Sequence, residues 1–258
     1  MENIDPAAAV SLLNAYFEEM VSIAFRHQGT LDRFMGDALA IMFSAPVVQP
    51  DHAQRALDCA MEMHAFAMVY AKDLQSKGIA FGYTRFGVHS GEVIVGNFGG
   101  NALFDYRALG DPVNTAARLE GVNKHLGTLI CVSEHTLSGC VDVSARPVGH
   151  LVLKGKKNAL QVFEPLPDML PSGYSPTALY QAAYEAVHDG AHDAQERFER
   201  LRESYPDDPL VALYCARLAA SLGRRFTSTL MVQPMARAPC KMASTLWCSG
   251  GISNKEPV

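Results

Sequence analysis

The stretch FDYRALGDPVNTAARLEG, Phe104–Gly121, decides how this chain is read. It begins like a strand, turns at Gly110-Asp111-Pro112 and continues as a helix. That helix carries Asn114 and Arg118 beside the small Ala116 and Ala117. Positions i and i+4 are neighbours on one helix face, so an amide and a guanidinium there can reach the same bound group. A solvated helix face would also account for them. The small alanines read as close helix packing in either case.

Working outward, strands and helices alternate on both sides of this stretch. Asp5-Pro6 is a helix start, and AAAVSLLNAYFEEMVSIAFRHQG follows it with apolar residues at helical spacing to Gly29. Two short apolar runs flank Gly36-Asp37, the pattern of a two-residue hairpin with glycine first. A second amphipathic helix is expected from about Pro50 to Lys77. FGYTRFGVHSGEVIVGNFGG reads as two strands around a His-Ser-Gly-Glu turn. TLICVS, ARPVGHLVLKG and ALQVFEPL supply further strands. The alternation predicts an α/β or α+β domain over residues 1–165. PLPDMLPSGYSP reads as a linker over 166–176. Residues 177–223 read as two or three short helices, resembling a tetratricopeptide-like pair, and form a possible site for a protein partner. After Gly223 the helical texture stops, and residues 224–258 are expected to be poorly ordered.

Bulk properties exclude several classes. The 258 residues are 48% hydrophobic and 19% charged, enough for a sizeable core, with a net charge of −5. That balance argues against a nucleic-acid partner. The cysteines at 59, 131, 140, 215, 240 and 248 form no CxxC pair, which excludes a recognisable zinc or disulfide framework and suits a reducing cytoplasmic setting. The N-terminus has no basic, apolar leader, and no run approaches eighteen uninterrupted apolar residues, so no membrane segment is expected.

Four segments together resemble a known family. DRFMGDALAIMF, RFGVHSGEVIVGNFG, FDYRALGDPVNTAARLEGVNKHLGT and LVLKGKKNALQVFEPL have the order and spacing of the class III nucleotidyl cyclase catalytic domain, bacterial adenylate cyclases in particular. The resemblance covers roughly residues 3–165. It implies a ferredoxin-like α+β sandwich with helices on one face, followed here by the helical appendage. It implies conversion of ATP to cyclic AMP and pyrophosphate, by attack of the 3′-hydroxyl on the α-phosphate with two magnesium ions, manganese being an alternative. It also implies a homodimer with composite sites.

Residue by residue, the resemblance makes Asp37 a metal ligand, otherwise a plain turn former. It makes Asn114 the group that orients the ribose and Arg118 the one that stabilises charge on the α-phosphate. Lys154 becomes a contact to the terminal phosphates, while Lys156 and Lys157 read as surface lysines. His89 and Glu92 receive no acid–base role. Arg33 and Arg107 fall where active adenylate cyclases present a lysine and an Asp or Thr to the adenine edge. Arginine offers donors and no acceptor, so weak base discrimination is expected; the Glu and Cys pattern of guanylate cyclases is absent, which leaves that activity the weaker expectation. The family domain also opens with a strand bearing a second metal-binding Asp. The chain begins after the corresponding point, so the sheet is expected to lack this central strand and its activity to be impaired. The competing expectation is a non-catalytic nucleotide-binding or dimerising remnant.

Overall fold

A computed structural model describes residues 5–100, 103–153, 156, 158–220, 229–232 and 243–250. Helix α1, Pro6–Arg26, starts where Asp5 Oδ2 accepts from the Ala7 and Ala8 amides, each at 3.1 Å. This satisfies two N–H groups that the first turn cannot pair internally. Strands β1, Thr30–Met35, and β2, Ala38–Phe43, form the expected hairpin across Gly36-Asp37. Gly36 sits at φ +62°, a left-handed conformation that glycine adopts without a Cβ penalty.

Helix α2, His52–Ser76, precedes β3, Thr84–Gly91, so His89-Ser90-Gly91 lie within a strand and not in the expected turn. β4, Ile94–Gly100, and β5, Leu103–Leu109, pair only with each other as a separate antiparallel ribbon. Then come α3, Asp111–Leu126, β6, Ile130–Ser133, α4, Glu134–Leu137, β7, Ala145–Leu153, and β8, Leu160–Pro165. Three helices follow: α5, Thr177–His188, α6, Ala194–Ser204, and α7, Pro209–Ala220.

Two strands lie within residues 224–258, a stretch expected to be poorly ordered, and the rest of it lies outside the described residues. β9 is Thr229–Val232 and β10 is Ala243–Gly250. The main sheet runs β1-β2-β10-β3-β6-β8-β7-β9. β10 lies antiparallel to both β2 and β3, with Cys248 opposite Leu39 on one side and Phe86 on the other. The sheet therefore does not have the expected gap at its centre. Strands β2 and β3 would otherwise expose unpaired N–H and C=O groups, and an extended, proline-free segment without charges can satisfy them.

Helices cover both faces of the sheet, a correction to the expected one-sided arrangement. On one face, α1 and α2 pack Tyr16, Met20, Ile23, Leu57 and Met63 against Leu39, Ile41, Phe43, Phe86 and Val88. Among the described residues α1 is the one helix long and apolar enough to cross a membrane by length and composition; we read it as a core helix because these side chains enter the core. On the other face, Leu119, Val122 and Leu126 of α3 share a buried cluster with β6, β7, β8 and with Tyr180, Phe198 and Tyr214 of the three C-terminal helices. Those helices are a layer of the same core.

A buried ion cluster ties that layer down. Arg146 on β7, 1% exposed, donates through Nε to Glu164 Oε2 at 2.7 Å and through Nη1 to Asp208 Oδ2 at 2.6 Å. Its guanidinium also stacks on Tyr174 and Tyr180, 4.5 and 4.8 Å from the ring centres. Asp208 further accepts from the Ser175 amide and hydroxyl, and its other oxygen accepts from the Leu210 and Val211 amides that open α7. Burial works to raise the pKa of Asp208, but the hydrogen bonds from Arg146 and Ser175 outweigh it and hold the carboxyl below its ordinary value. Burial dominates at Glu164 and raises it despite the same arginine.

Candidate active site

Helix α3 lies directly on β3 at Gly87. A Cβ there would stand 2.1 Å from the Ala116 carbonyl oxygen and 2.3 Å from the Glu120 nitrogen. Only glycine lets the two backbones approach this closely. One turn on, Asn123 donates from Nδ2 to the Phe86 carbonyl at 2.9 Å, and its Oδ1 accepts from Thr128 at 2.7 Å. Both contacts are buried and fix the roll of α3. Thr115, Ala116, Leu119, Val122 and Asn123 face inward. Asn114, Ala117, Arg118 and Gly121 share the opposite face, with Asn114 and Arg118 half-buried. The structure thus brings Asn114 and Arg118 to one outward face. Asn114 Nδ2 lies 3.4 Å from the Gly110 carbonyl at the helix start.

Arg33 and Arg107 are brought to neighbouring strands through a residue that sequence reasoning missed. Asp32 on β1 is buried, and its Oδ1 accepts from the Ala108 amide at 2.7 Å. Its Oδ2 accepts from Arg33 Nε at 2.6 Å, while Arg33 Nη2 donates to the Ala108 carbonyl at 3.3 Å. Arg107 precedes Ala108 in β5 and pairs with Asp105, two positions back on the same strand face. Its Nε is buried and has no partner among the described residues. A charged residue pointing inward from a strand needs a partner, and Asp32 beside Arg33 was the available signal.

Asp37 sits half-buried at the hairpin tip. Its neighbour Ala38 shares a buried cluster with Val113 and Ala116 of α3. Lys154 lies outside the described residues. Lys156, expected as a plain surface lysine, forms an ion pair with Asp111 at the start of α3. No group of three or more His, Cys, Asp or Glu able to hold a metal occurs among the described residues. Among the described residues of one chain the donors therefore form no ready-made cage for two magnesium ions.

His89 is nearly buried, and its Nδ1 lies 2.8 Å from Ser133 Oγ, which also contacts Thr136. Burial, reinforced by Lys156 and His135, pushes its pKa down to about 4. The ring is neutral at pH 7 and pins β3 to the β6–α4 corner. Because an unfolded histidine titrates near 6.5, the unfolded chain binds more protons between pH 6.5 and 4. Stability falls as pH drops through that window, by on the order of 3 kcal/mol in total. Urea unfolding from pH 7 to 4.5 is expected to show this slope, and His89→Asn to flatten it; an unchanged slope in the variant would refute the assignment.

Residues 1–163 match the family described as the adenylate and guanylate cyclase catalytic domain. The chain belongs to this family. Adenylate cyclase 1 of Rhizobium meliloti is 35% identical over 164 residues, which cover 63% of this chain and 25% of that protein. An uncharacterized protein of Mycobacterium tuberculosis is 33% identical over 164 residues, covering 62% of this chain and 29% of its own. The chain spans about a quarter of the length of these relatives. Among solved structures, the adenylyl cyclase CyaB from P. aeruginosa matches with a TM-score of 0.59 and 30% identity, over 65% of this chain and 87% of that one. The guanylyl cyclase Cya2 matches at 0.54 and 30%, over 68% and 88%. The α+β cyclase fold is thus shared with proteins described as acting on either purine nucleotide.

Proposed function

We propose that this cyclase domain acts on ATP, forming cyclic AMP and pyrophosphate. In the reaction the 3′-hydroxyl oxygen bonds to the α-phosphorus, the bond to pyrophosphate breaks and the hydroxyl proton leaves to solvent. Arg118 supports negative charge that grows on the α-phosphate, and Asn114 orients the ribose. Arg33 and Arg107 meet the base, Lys154 the terminal phosphates, and Asp37 a metal ion that accompanies the nucleotide. The domain works in the cytoplasm as a homodimer, with Asp37 of one copy facing the arginines of the other. The observation that carries this reading is the pairing of Asn114 and Arg118 on the outward face of α3.

Arg118→Ala is expected to lower kcat by about a hundredfold to a thousandfold, as for other donors aimed at developing charge, with little change in KM. The assay is product quantification by mass spectrometry with ATP or GTP in magnesium or manganese. A rise in KM at unchanged kcat would sink the role of Arg118. A second reading, a nucleotide-binding or dimerising domain without turnover, is favoured by the lack of a metal-holding cluster among the described residues. Nucleotide binding without any cyclic product would select it.

A further inference from the structure

We infer that Asp32 is the positioning residue for base recognition, because its buried carboxylate clips the Arg33 guanidinium onto the Ala108 peptide. The inference rests on the proposed role of Arg33 at the base and deepens it.

The geometry is a closed ring of contacts. Asp32 uses both oxygens: Oδ1 takes the Ala108 N–H at 2.7 Å and Oδ2 takes Arg33 Nε–H at 2.6 Å. Arg33 Nη2 returns to the carbonyl of the same Ala108 at 3.3 Å. In β5, the amide and carbonyl of Ala108 therefore both point toward β1. The β4–β5 ribbon is not part of the main sheet, so this clip is a polar link that seats the ribbon's inner edge on it. It also decides where Arg33 points. A solvent-exposed arginine samples many rotamers, and ordering one costs free energy at the moment of binding. Here Nε and one N–H of Nη2 are already committed, and among the described residues the donors of Nη1 remain for a bound group.

This bears on which purine is read. Arg33 delivers donors at a fixed angle, and Arg107, next to Ala108, is held by Asp105 while its Nε has no partner among the described residues. A 6-aminopurine and a 6-oxopurine differ in whether the edge presents a donor or an acceptor. Donors at a fixed angle discriminate between them; donors on a loose side chain do not.

Asp32→Asn breaks the clip without changing its size. If the amide oxygen keeps the Ala108 N–H, its NH2 group faces Arg33 Nε–H, donor against donor, and Arg33 is released. The test is competitive binding of ATP and GTP to the full chain in magnesium, for the native protein, Asp32→Asn, Arg33→Ala and the double variant. Native protein is expected to show a modest preference between the two nucleotides, and Asp32→Asn to move the ratio of the two dissociation constants by about tenfold. In the Arg33→Ala background, Asp32→Asn is expected to leave that ratio where it is, since coupled residues are non-additive. If Asp32→Asn weakens ATP and GTP equally, or acts as strongly without Arg33, the clip is only a strut for the ribbon and the inference fails. If the native chain binds neither nucleotide, the proposed function falls as well. Should Asp32→Asn not fold, Asp32→Glu keeps the charge and shifts the guanidinium; an unchanged ratio there overturns the inference equally.

Discussion

Gly87→Ala is expected to be among the most damaging single-methyl changes in the molecule. The added Cβ would meet the backbone of α3 at Ala116 and Glu120, at 2.1 and 2.3 Å. No rotamer change relieves a contact with backbone, so either the helix lifts off β3 or the strand bends. Overpacking of a core costs about 1–3 kcal/mol where side chains can yield; here the expected loss is about 3 kcal/mol or more, a Tm decrease of roughly 6–12 °C for a chain of this size. The proposed activity is expected to fail with it, because the same helix carries Asn114 and Arg118 on its other face. Gly121→Ala is the control. It lies on the outward face of α3, where a Cβ meets nothing within 4 Å. Alanine there is expected to stabilise the helix by about 0.5–1 kcal/mol. Thermal unfolding of the two variants decides the matter, and a Gly87→Ala protein as stable as the native one would refute this docking.

The second large effect is at the buried ion cluster, where the two carboxylates are expected to behave differently. Asp208→Asn removes the acceptor that serves Arg146 and Ser175 and weakens the cap of α7. Breaking such a buried pair typically costs about 3–5 kcal/mol, since a desolvated charge is left behind. Glu164→Gln is expected to cost far less. With two carboxylates around one guanidinium, the cluster carries an excess negative charge when both are ionised, and burial already favours the protonated form of Glu164. The signs of their pH dependence are opposite. The pKa of Asp208 is lowered by folding, so its contribution is full above its unfolded value, near 4, and is lost as pH falls through its folded value. That of Glu164 is raised, so its contribution is full below the unfolded value and is lost as pH rises through the folded one. Denaturant titrations of the two variants from pH 4 to 8 should therefore differ in direction as well as size. Equal losses at neutral pH would mean that both carboxylates are ionised and equally needed.

Much of this was legible in the sequence because the relevant signals are local. Asp5-Pro6, Gly36-Asp37 and Gly110-Asp111-Pro112 announced a helix start, a hairpin and a strand-to-helix turn, and each lies where its chemistry requires. The i, i+4 spacing placed Asn114 and Arg118 on one face before any packing was known. Contacts that join distant segments gave no such signal. Asp32 and Ala108 are far apart in the chain, so although an acidic residue beside Arg33 hinted at a partner, its tie to the Ala108 amide could not be seen. Arg146 in ARPVGHLVLKG carries nothing that points to Asp208, and the helices after residue 176 read as an appendage because their shared core is visible only once β7 and α3 are folded against them. The His-Ser-Gly-Glu segment looked like a turn because small and polar residues favour turns, yet Ser133 and Thr136 satisfy those polar groups inside a strand.

The central place of β10 sets an order of events for the growing chain. Leu39 pairs with Cys248, and Phe86 pairs with the same residue from the other side. Both partners emerge from the ribosome long before Cys248 does. At about 5–20 residues per second, the interval between the end of β3 and the arrival of β10 is on the order of ten seconds or more. Through that interval β2 and β3 hold open edges toward each other, and only the helices and the β6–β8 side can assemble. Such long-range pairing makes folding slow. Until β10 arrives, the slot between β2 and β3 is also the place where a neighbouring chain's β10 could pair, so this one strand is where an exchanged pair of molecules would form.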